Sequence, residues 1–270
     1  MPLAVCATPI GNLQDVTLRV LEELRSADVV LCEDTRHTRV LLDRHGVVQP
    51  HLLSYHEHNE AKRTAEVLPR LLAGERVALV SDAGVPGISD PGARLVAAAL
   101  EAGVPVTVLP GASAVDTALV AGGFPAERYQ FLGFLPRGAT ALVALWDELA
   151  GWPHPAVAFE SPQRLPATLR SLAAAQPDRP IAICRELTKR FEQVVRGPAK
   201  EVAAQFPEPP KGEITIVLGG AAPSSGEDGA EAAVAAVAEL VADGLPRRRA
   251  ADVVARLTGV PRNELYRRTL

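Results

Sequence analysis

The residues able to do chemistry gather where apolar runs stop. Residues 3–7 lead into Thr8-Pro9-Ile10-Gly11-Asn12, Val29–Cys32 into Glu33-Asp34-Thr35-Arg36-His37, and Val77–Val80 into a loop carrying Asp82, Gly84, Pro86, Gly87, Asp90, Pro91 and Gly92. Residues 104–109 lead into Pro110-Gly111-Ala112-Ser113. Glycine lets backbone come close to a ligand and proline stiffens the loop, so the first, third and fourth of these strand ends suit a largely preformed site for a compact molecule, and the polar residues of the second suit a cleft wall. Asp82 reads either as a ligand-binding carboxylate, able to hold a ribose hydroxyl or a cationic group, or as a turn or cap residue. Ser113 reads as a ligand contact or an N-cap. Asp90, just before Pro91, reads as a turn and cap residue. No GxGxxG follows the first strand and no GxxxxGK[ST] occurs, which disfavours a conventional dinucleotide fold and a P-loop. Ser113 lacks the GxSxG elbow of a hydrolase nucleophile.

A further polar stretch is Tyr55-His56-Glu57-His58-Asn59-Glu60. It lacks the i, i+4 histidine pair of HExxH and has no nearby cysteine, so metal is the weakest of its readings. A loop or helix cap and a substrate-facing loop remain equally open.

The elements that must hold these loops alternate. Strands are expected at 3–7, 29–32, 52–54, 77–80 and 104–109, with helices between them; 61–73 is one amphipathic example. Asp15 or Thr17 serves as the cap of the first helix. After Gly122-Gly123-Phe124-Pro125 and the extended 131–137 segment the alternation resumes. Helices fall at 142–149, 165–174 and 200–205, and strands at 156–159, 181–184, 191–195 and 214–218, with a turn at Gly197-Pro198. In open α/β sheets ligands bind at the carboxyl ends of the strands. The expected fold is therefore α/β, with two α/β domains at 1–118 and 119–220 and the site between them. A linker at 221–230 and a small helical module at 231–270 follow.

Composition sets the limits. The 270 residues are 47% hydrophobic but only 4% aromatic, so the cores are built from Ala, Val and Leu. A net charge of −4 gives no global nucleic-acid signature, and RNA binding would need a local basic patch. Such a patch exists: seven arginines lie between Pro246 and the end, against Asp252 and Glu264. That segment reads as a helix-turn-helix module or as a solvated basic tail. Cys6, Cys32 and Cys184 are scattered, which points to buried free thiols in a reducing compartment. With no signal-peptide pattern and no run near the ~18 residues of a membrane span, the expectation is a cytoplasmic protein without a membrane partner.

Several blocks also carry a family resemblance: ATPIGNLQDVTLR (7–19), ADVVLCEDTRHTRVLL (27–42), SYHEHNE (54–60), LVSDAGVPGISDPG (79–92), VLPGASAVDTAL (108–119), FLGFLPR (131–137), FESPQRL (159–165), CRELTKRFE (184–192) and KGEITIVLGG (211–220). Together they resemble the tetrapyrrole-methylase superfamily, the class III S-adenosylmethionine methyltransferases. Within it they resemble the branch that methylates a cytidine ribose 2′-hydroxyl of 16S ribosomal RNA. The resemblance covers residues 1–220 and weakens in the C-terminal helices. It implies S-adenosylmethionine as cofactor between two α/β domains, 16S rRNA of the small ribosomal subunit as partner, and a homodimer. On matching positions the cofactor contacts would be Pro9, Ile10, Asp82, Ala83, Gly84, Val85, Ser113 and Ala114, completed by Leu187, Glu213 and Thr215.

A neutral ribose hydroxyl is a poor nucleophile, so a base or a cation must deal with its proton. Glu33, Asp34, His37, His56, Glu57 and Lys211 are candidates. Glu33 and Asp34 with Arg36 are favoured as the catalytic group, against an internal Asp34–Arg36 ion pair. The stretch after Pro136, often basic in this branch, is here Arg137 followed by uncharged residues. The expected RNA contacts are therefore Arg247, Arg248, Arg249, Arg262, Arg267 and Arg268, because phosphate contacts carry most sequence-independent affinity. The alternatives are a methyltransferase of the same fold acting on a tetrapyrrole or a diphthine-type side chain, and a non-catalytic RNA-binding protein.

Overall fold

A computed structural model describes residues 2–48, 51–221 and 226–269. The chain divides into two compact units, Met1–Asp147 with His154–Gly219, and Glu148–Pro153 with Gly220–Leu270.

The larger unit begins with β1 (Leu3–Cys6), α1 (Leu18–Ser26), β2 (Val29–Cys32), α2 (Thr35–Arg44), β3 (His51–Ser54), α3 (Glu60–Leu72), β4 (Val77–Val80), α4 (Ala93–Glu101) and β5 (Val106–Leu109). The five strands form one parallel sheet in the order β3-β2-β4-β1-β5. Its strands are apolar without alternation because both faces are covered. Ala4, Cys6, Val30, Cys32, Ala78 and Val80 pack with Val20, Leu21 and Leu24 of α1. Leu3, Val5, Val29, Leu31, Val77 and Leu79 pack on the other face with Val67, Leu71, Leu95 and Ala99 of α3 and α4. Thr17 caps α1, its Oγ1 accepting from the Val20 N–H at 3.2 Å. Cys6, Cys32 and Cys184 are buried free thiols, and burial pushes Cys6 up to about 12.

There follow α5 (Ala114–Gly122), β6 (Gln130–Phe134), α6 (Ala139–Leu149), β7 (Ala156–Glu160), α7 (Leu165–Ala175), β8 (Pro180–Arg185), β9 (Gln193–Pro198), α8 (Ala199–Gln205) and β10 (Ile214–Leu218). The second sheet is mixed, in the order β6-β7-β10-β8-β9. Because β10 runs antiparallel to β7 and β8, its entry lies at the same end of the sheet as their exits. Helix α5 leaves the first sheet's edge strand but buries Val115, Ala118 and Leu119 against Val157, Ala182, Cys184 and Val217 of the second sheet. Residues 118 and 119, where the sequence suggests a division, thus lie inside one helix. The turn expected at Gly197-Pro198 is instead the end of β9, where Gly197 at φ +153° pairs with Ile181.

The smaller unit contains α9 (Gly226–Ala242), α10 (Arg247–Thr258) and α11 (Arg262–Arg268), around Ala233, Val237, Ala250, Ala251, Val254 and Leu265. Of the linker expected at 221–230, residues 222–225 lie outside the described residues, and 226–230 are not linker but the start of α9. Among the described residues no helix is long and apolar enough to cross a membrane.

Candidate functional site

The carboxyl ends of β1, β4 and β5 meet those of β7 and β8 and the entry of β10 around a cavity of about 510 Å³. That size suits a cofactor-sized ligand, which sites of ~300–1,000 Å³ enclose. Ile10, Ala83, Gly84, Val85, Ser113, Ala114, Leu187, Glu213 and Thr215 all line it. The other two residues expected at the cofactor, Pro9 and Asp82, line an adjoining cavity of about 120 Å³, together with Thr8, His37, Ser81 and Lys189. Ile10, Ala83 and Glu213 belong to both walls.

Backbone hydrogen bonds set these loops in place. Thr8 and Gly84 form an antiparallel bridge, with Thr8 N–H donating to Gly84 O at 2.8 Å and Gly84 N–H to Thr8 O at 3.0 Å. Gly84 holds φ +79°, a conformation that favours glycine. Ser113 satisfies both of its readings: it lines the larger cavity, and its Oγ accepts from the Asp116 N–H at 3.3 Å to cap α5. On the opposite side, Glu186 and Thr188 are held at φ +52° and +64° around buried Leu187. Non-glycine residues in that region cost of order 1–3 kcal/mol and persist only where their surroundings dictate it. Here Thr188 Oγ1 accepts from the Asn12 N–H at 3.0 Å. Glu186 Oε1 accepts from the Glu213 N–H at 3.0 Å, and Lys189 Nζ sits 3.0 Å from Glu186 and 2.9 Å from Glu213.

Asp82 is not a helix cap. Its Oδ1 accepts from the Asp34 N–H at 3.2 Å and its Oδ2 lies 3.7 Å from His37 Nδ1, so it ties the exit of β4 to that of β2. Of the three residues favoured as catalytic, Asp34 and Arg36 are largely committed to each other. The Arg36 guanidinium grips the Asp34 carboxylate at 3.2 and 2.9 Å, and Asp34 Oδ1 accepts from the Arg36 N–H at 2.8 Å to cap α2. These bonds hold the Asp34 carboxyl down at about 2, too weak a base for a neutral-pH proton transfer. Glu33 differs: burial, then the charge of Asp82, pushes its carboxyl above the usual range.

Asp90 corrects the sequence reading. It is no cap, because Gly92 stands at the start of α4 with φ +142° and its N–H donates to Glu60 Oε1 at 3.0 Å. Asp90 instead lines the larger cavity. Burial and the charges of Glu33 and Asp82 raise its carboxyl to about 6. Ile88, Phe134, Phe159 and Glu160 also line the cavity without having been singled out. Their signal was present in the SDPG, FLGFLPR and FESPQRL blocks, but no residue type in them announced a role. The 55–60 stretch lines neither cavity. Asn59 folds it on itself, accepting from the His56 N–H at 2.9 Å and donating to Ser54 O at 3.2 Å. Glu60 accepts from the Tyr55 hydroxyl at 3.1 Å. Among the described residues no group of three or more His, Cys, Asp or Glu could hold a metal ion.

In the smaller unit Arg247, Arg248 and Arg249 open α10. Arg248 and Arg249 are exposed. Arg262 pairs with Asp252 at 2.7 Å, and Arg268 with Glu231 and Glu264 at 3.8 and 3.7 Å. Arg267 donates from Nε to Asn263 O at 3.2 Å.

Comparison with known proteins agrees with this architecture. Residues 2–203 match the model of the tetrapyrrole (corrin/porphyrin) methylases, and residues 227–270 that of the RsmI C-terminal HTH domain. A protein of Mesorhizobium japonicum named ribosomal RNA small subunit methyltransferase I is 41% identical over 271 residues, covering 99% of this chain and 91% of that protein. One of the same name from Thermotoga maritima is 45% identical over 219 residues, covering 81% of this chain and 98% of that protein. The solved structure of uroporphyrin-III C-methyltransferase from Thermus thermophilus, complexed with S-adenosyl homocysteine, superposes with a TM-score of 0.56 at 20% identity. It covers 80% of this chain and 96% of that one, a likeness of fold. The chain belongs to the tetrapyrrole methylase family and, within it, to the group of the ribosomal RNA small subunit methyltransferase I proteins.

Proposed function

We propose that the protein transfers a methyl group from S-adenosylmethionine to the 2′-hydroxyl of a cytidine in 16S rRNA of the small ribosomal subunit. The observation that carries this is the convergence of residues from seven strand ends on one cofactor-sized cavity. The relatives' shared name supplies the class of acceptor.

The cavity residues fit the donor. Apolar Ile10, Val85 and Leu187 line it, and the Ala83–Val85 backbone offers hydrogen-bonding groups to a purine edge. Asp82 at the adjoining cavity can hold an ammonium or hydroxyl group. The donor's sulfonium brings both the methyl group and its own leaving group. The chain's residues then have three tasks: to bind, to align the acceptor oxygen and to exclude water. Glu33, Asp34 and Arg36 act in our reading at the edge of this site, Asp34 and Arg36 by fixing the exit of β2 and Glu33 by its charge.

RNA contact would come from Arg247, Arg248, Arg249, Arg262, Arg267 and Arg268, with Arg248 and Arg249 the most accessible of the first three. The family resemblance adds a homodimer and a cytoplasmic location to the proposal.

The test is methyl transfer from labelled cofactor to 30S particles, free 16S rRNA and precorrins, with the labelled nucleotide then mapped. Label at a cytidine ribose of the small-subunit RNA is the expected result. Label on precorrin alone overturns the reading. Calorimetry should show S-adenosylmethionine binding that is weakened in the Asp82→Ala and Ser113→Ala proteins. Unchanged affinity in the folded double variant would refute the cofactor assignment.

A further inference from the structure

The residues expected at the cofactor occupy only part of the larger cavity. The remaining wall includes Ile88, Ser89 and Asp90 from the loop after β4 and Phe134, Phe159 and Pro162 from the second sheet. The two sides come close: a Cβ placed on Gly133 would lie 3.8 Å from Ser89 Oγ. Asp90 and Phe134 each follow one of these two neighbouring residues.

Two features of this end are unusual for this chain. Aromatic residues are scarce, yet Phe134 is 62% exposed. It is held edge-to-face on Phe159 at 5.5 Å, which in turn packs on Phe131 at 5.1 Å. An exposed ring braced by others on the rim of a largely apolar cavity with a few polar groups is the arrangement that receives an unstacked nucleobase. The opposite loop carries a carboxylate, that of Asp90, with no ion pair among the described residues. Asp90 has none of the ion pairs that occupy the second sheet's acids, where Glu160 meets Arg164 at 3.3 Å and Glu213 meets Lys189.

We propose that this end of the cavity is the acceptor subsite, with Phe134 stacking the nucleobase and the Asp90 carboxylate taking the proton of the ribose hydroxyl. The proposal rests on the RNA methyltransferase reading above and deepens it. The balance is simple. The hydroxyl proton passes to an Asp90 oxygen and the ribose oxygen bonds to the methyl carbon. The electron pair of the broken carbon–sulfur bond remains on the donor's sulfur as a neutral thioether. The groups acting on Asp90 are Glu33 at the exit of β2, Asp82 at the exit of β4 and a hydrogen bond from Ser81. The acids on the opposite wall, Glu160 and Glu213, have their own cations. A carboxyl raised to about 6 accepts a proton far more readily than an ordinary one and is still ionised at neutral pH.

Three measurements test this. In single turnovers on 30S particles, the wild-type rate should rise with pH through a limb near 6 and then level off. Asp90→Asn should remove that limb and lower the rate about 10²-fold or more. Glu33→Gln, which removes a negative neighbour, should shift the limb downward. Without any cofactor, a Phe134→Trp protein should lose indole fluorescence on titration with a cytidine-containing oligonucleotide. Phe134→Ala should raise the KM for RNA about 10-fold with S-adenosylmethionine affinity unchanged, and Phe134→Tyr should restore it. An Asp90→Asn protein that is folded, binds cofactor and keeps both rate and limb overturns the base. Absent quenching together with an unaltered KM in Phe134→Ala overturns the platform. Loss of cofactor binding or of RNA methylation by the wild type would sink the parent reading instead.

Discussion

The two walls of the larger cavity handle charge in opposite ways. On the second-sheet side each acid has a partner: Glu160, with a fully buried side chain, accepts from Thr168 Oγ1 at 2.6 Å and the Ser161 N–H at 2.7 Å and pairs with Arg164. Arg164 also donates to the carbonyls of Leu135 and Pro136, so one buried network fixes the exits of both β6 and β7. On the first-sheet side Asp90 lines the cavity, with Asp82 of the adjoining cavity and Glu33 at the exit of β2 behind it, and with little compensation beyond His37 beside Asp82 and His56 near Glu33. Neutralised charge on one wall builds a rigid rim. On the other, burial and then uncompensated charge raise the carboxyls of Glu33 and Asp90, a state that costs stability and serves chemistry.

That contrast breaks most severely at Glu160. Glu160→Ala leaves Arg164 and Thr168 without their buried partner and should cost about 3 kcal/mol of unfolding free energy, read from urea denaturation. An unchanged midpoint would mean that the two walls do not differ. Gly212→Ala comes next, at about 2–3 kcal/mol. Gly212 holds φ +97°, and an added Cβ would fall 2.4 Å from Glu186 Cγ. Glu186→Ala in the same chain should relieve the clash but not the backbone strain.

On the opposing wall the sign reverses. Asp90 keeps its proton to about pH 6 when folded, against 3.8 ordinarily, so the folded state binds more protons between those values and loses stability as pH rises through them. Asp90→Asn should therefore stabilise the protein at pH 8, by about 1 kcal/mol once solvent screening of a half-buried group is allowed for, and the gain should vanish below pH 4. Equal gains at both pH values would contradict the cause assigned to the shift. The smallest effect belongs to Arg36→Ala. Its ion pair with Asp34 is solvent-exposed, so thermal unfolding should barely move, whereas Asp34→Ala, which also removes the cap of α2, should lower the midpoint visibly.

Much of this was legible in the chain. Apolar runs such as Val77–Val80, bounded by glycine and proline, mark buried strands because a strand covered on both faces needs no polar alternation. The loops after them mark the site for the same geometric reason. Asp90 was misread because turn chemistry is local: an Asp before Pro-Gly looks like a cap until Glu60, 30 residues earlier, takes that work at Gly92. Phe134 could not be picked from the other phenylalanines, since exposure depends on which neighbours arrive. The Asp34–Arg36 pair was readable as an alternative because its members are two residues apart.

The sequence alone therefore determined the alternating strands and helices and the loops at the strand ends, because hydrophobic period and backbone freedom are properties of short segments; the residues proposed at the cofactor came from the family resemblance. Only the tertiary structure decided that α5 packs on the second sheet, that β10 enters where β7 and β8 end, and that Asp90 and Phe134 share one cavity. Those facts depend on distant segments meeting, and a carboxylate's proton affinity is set by whichever charges and apolar atoms that meeting brings alongside it.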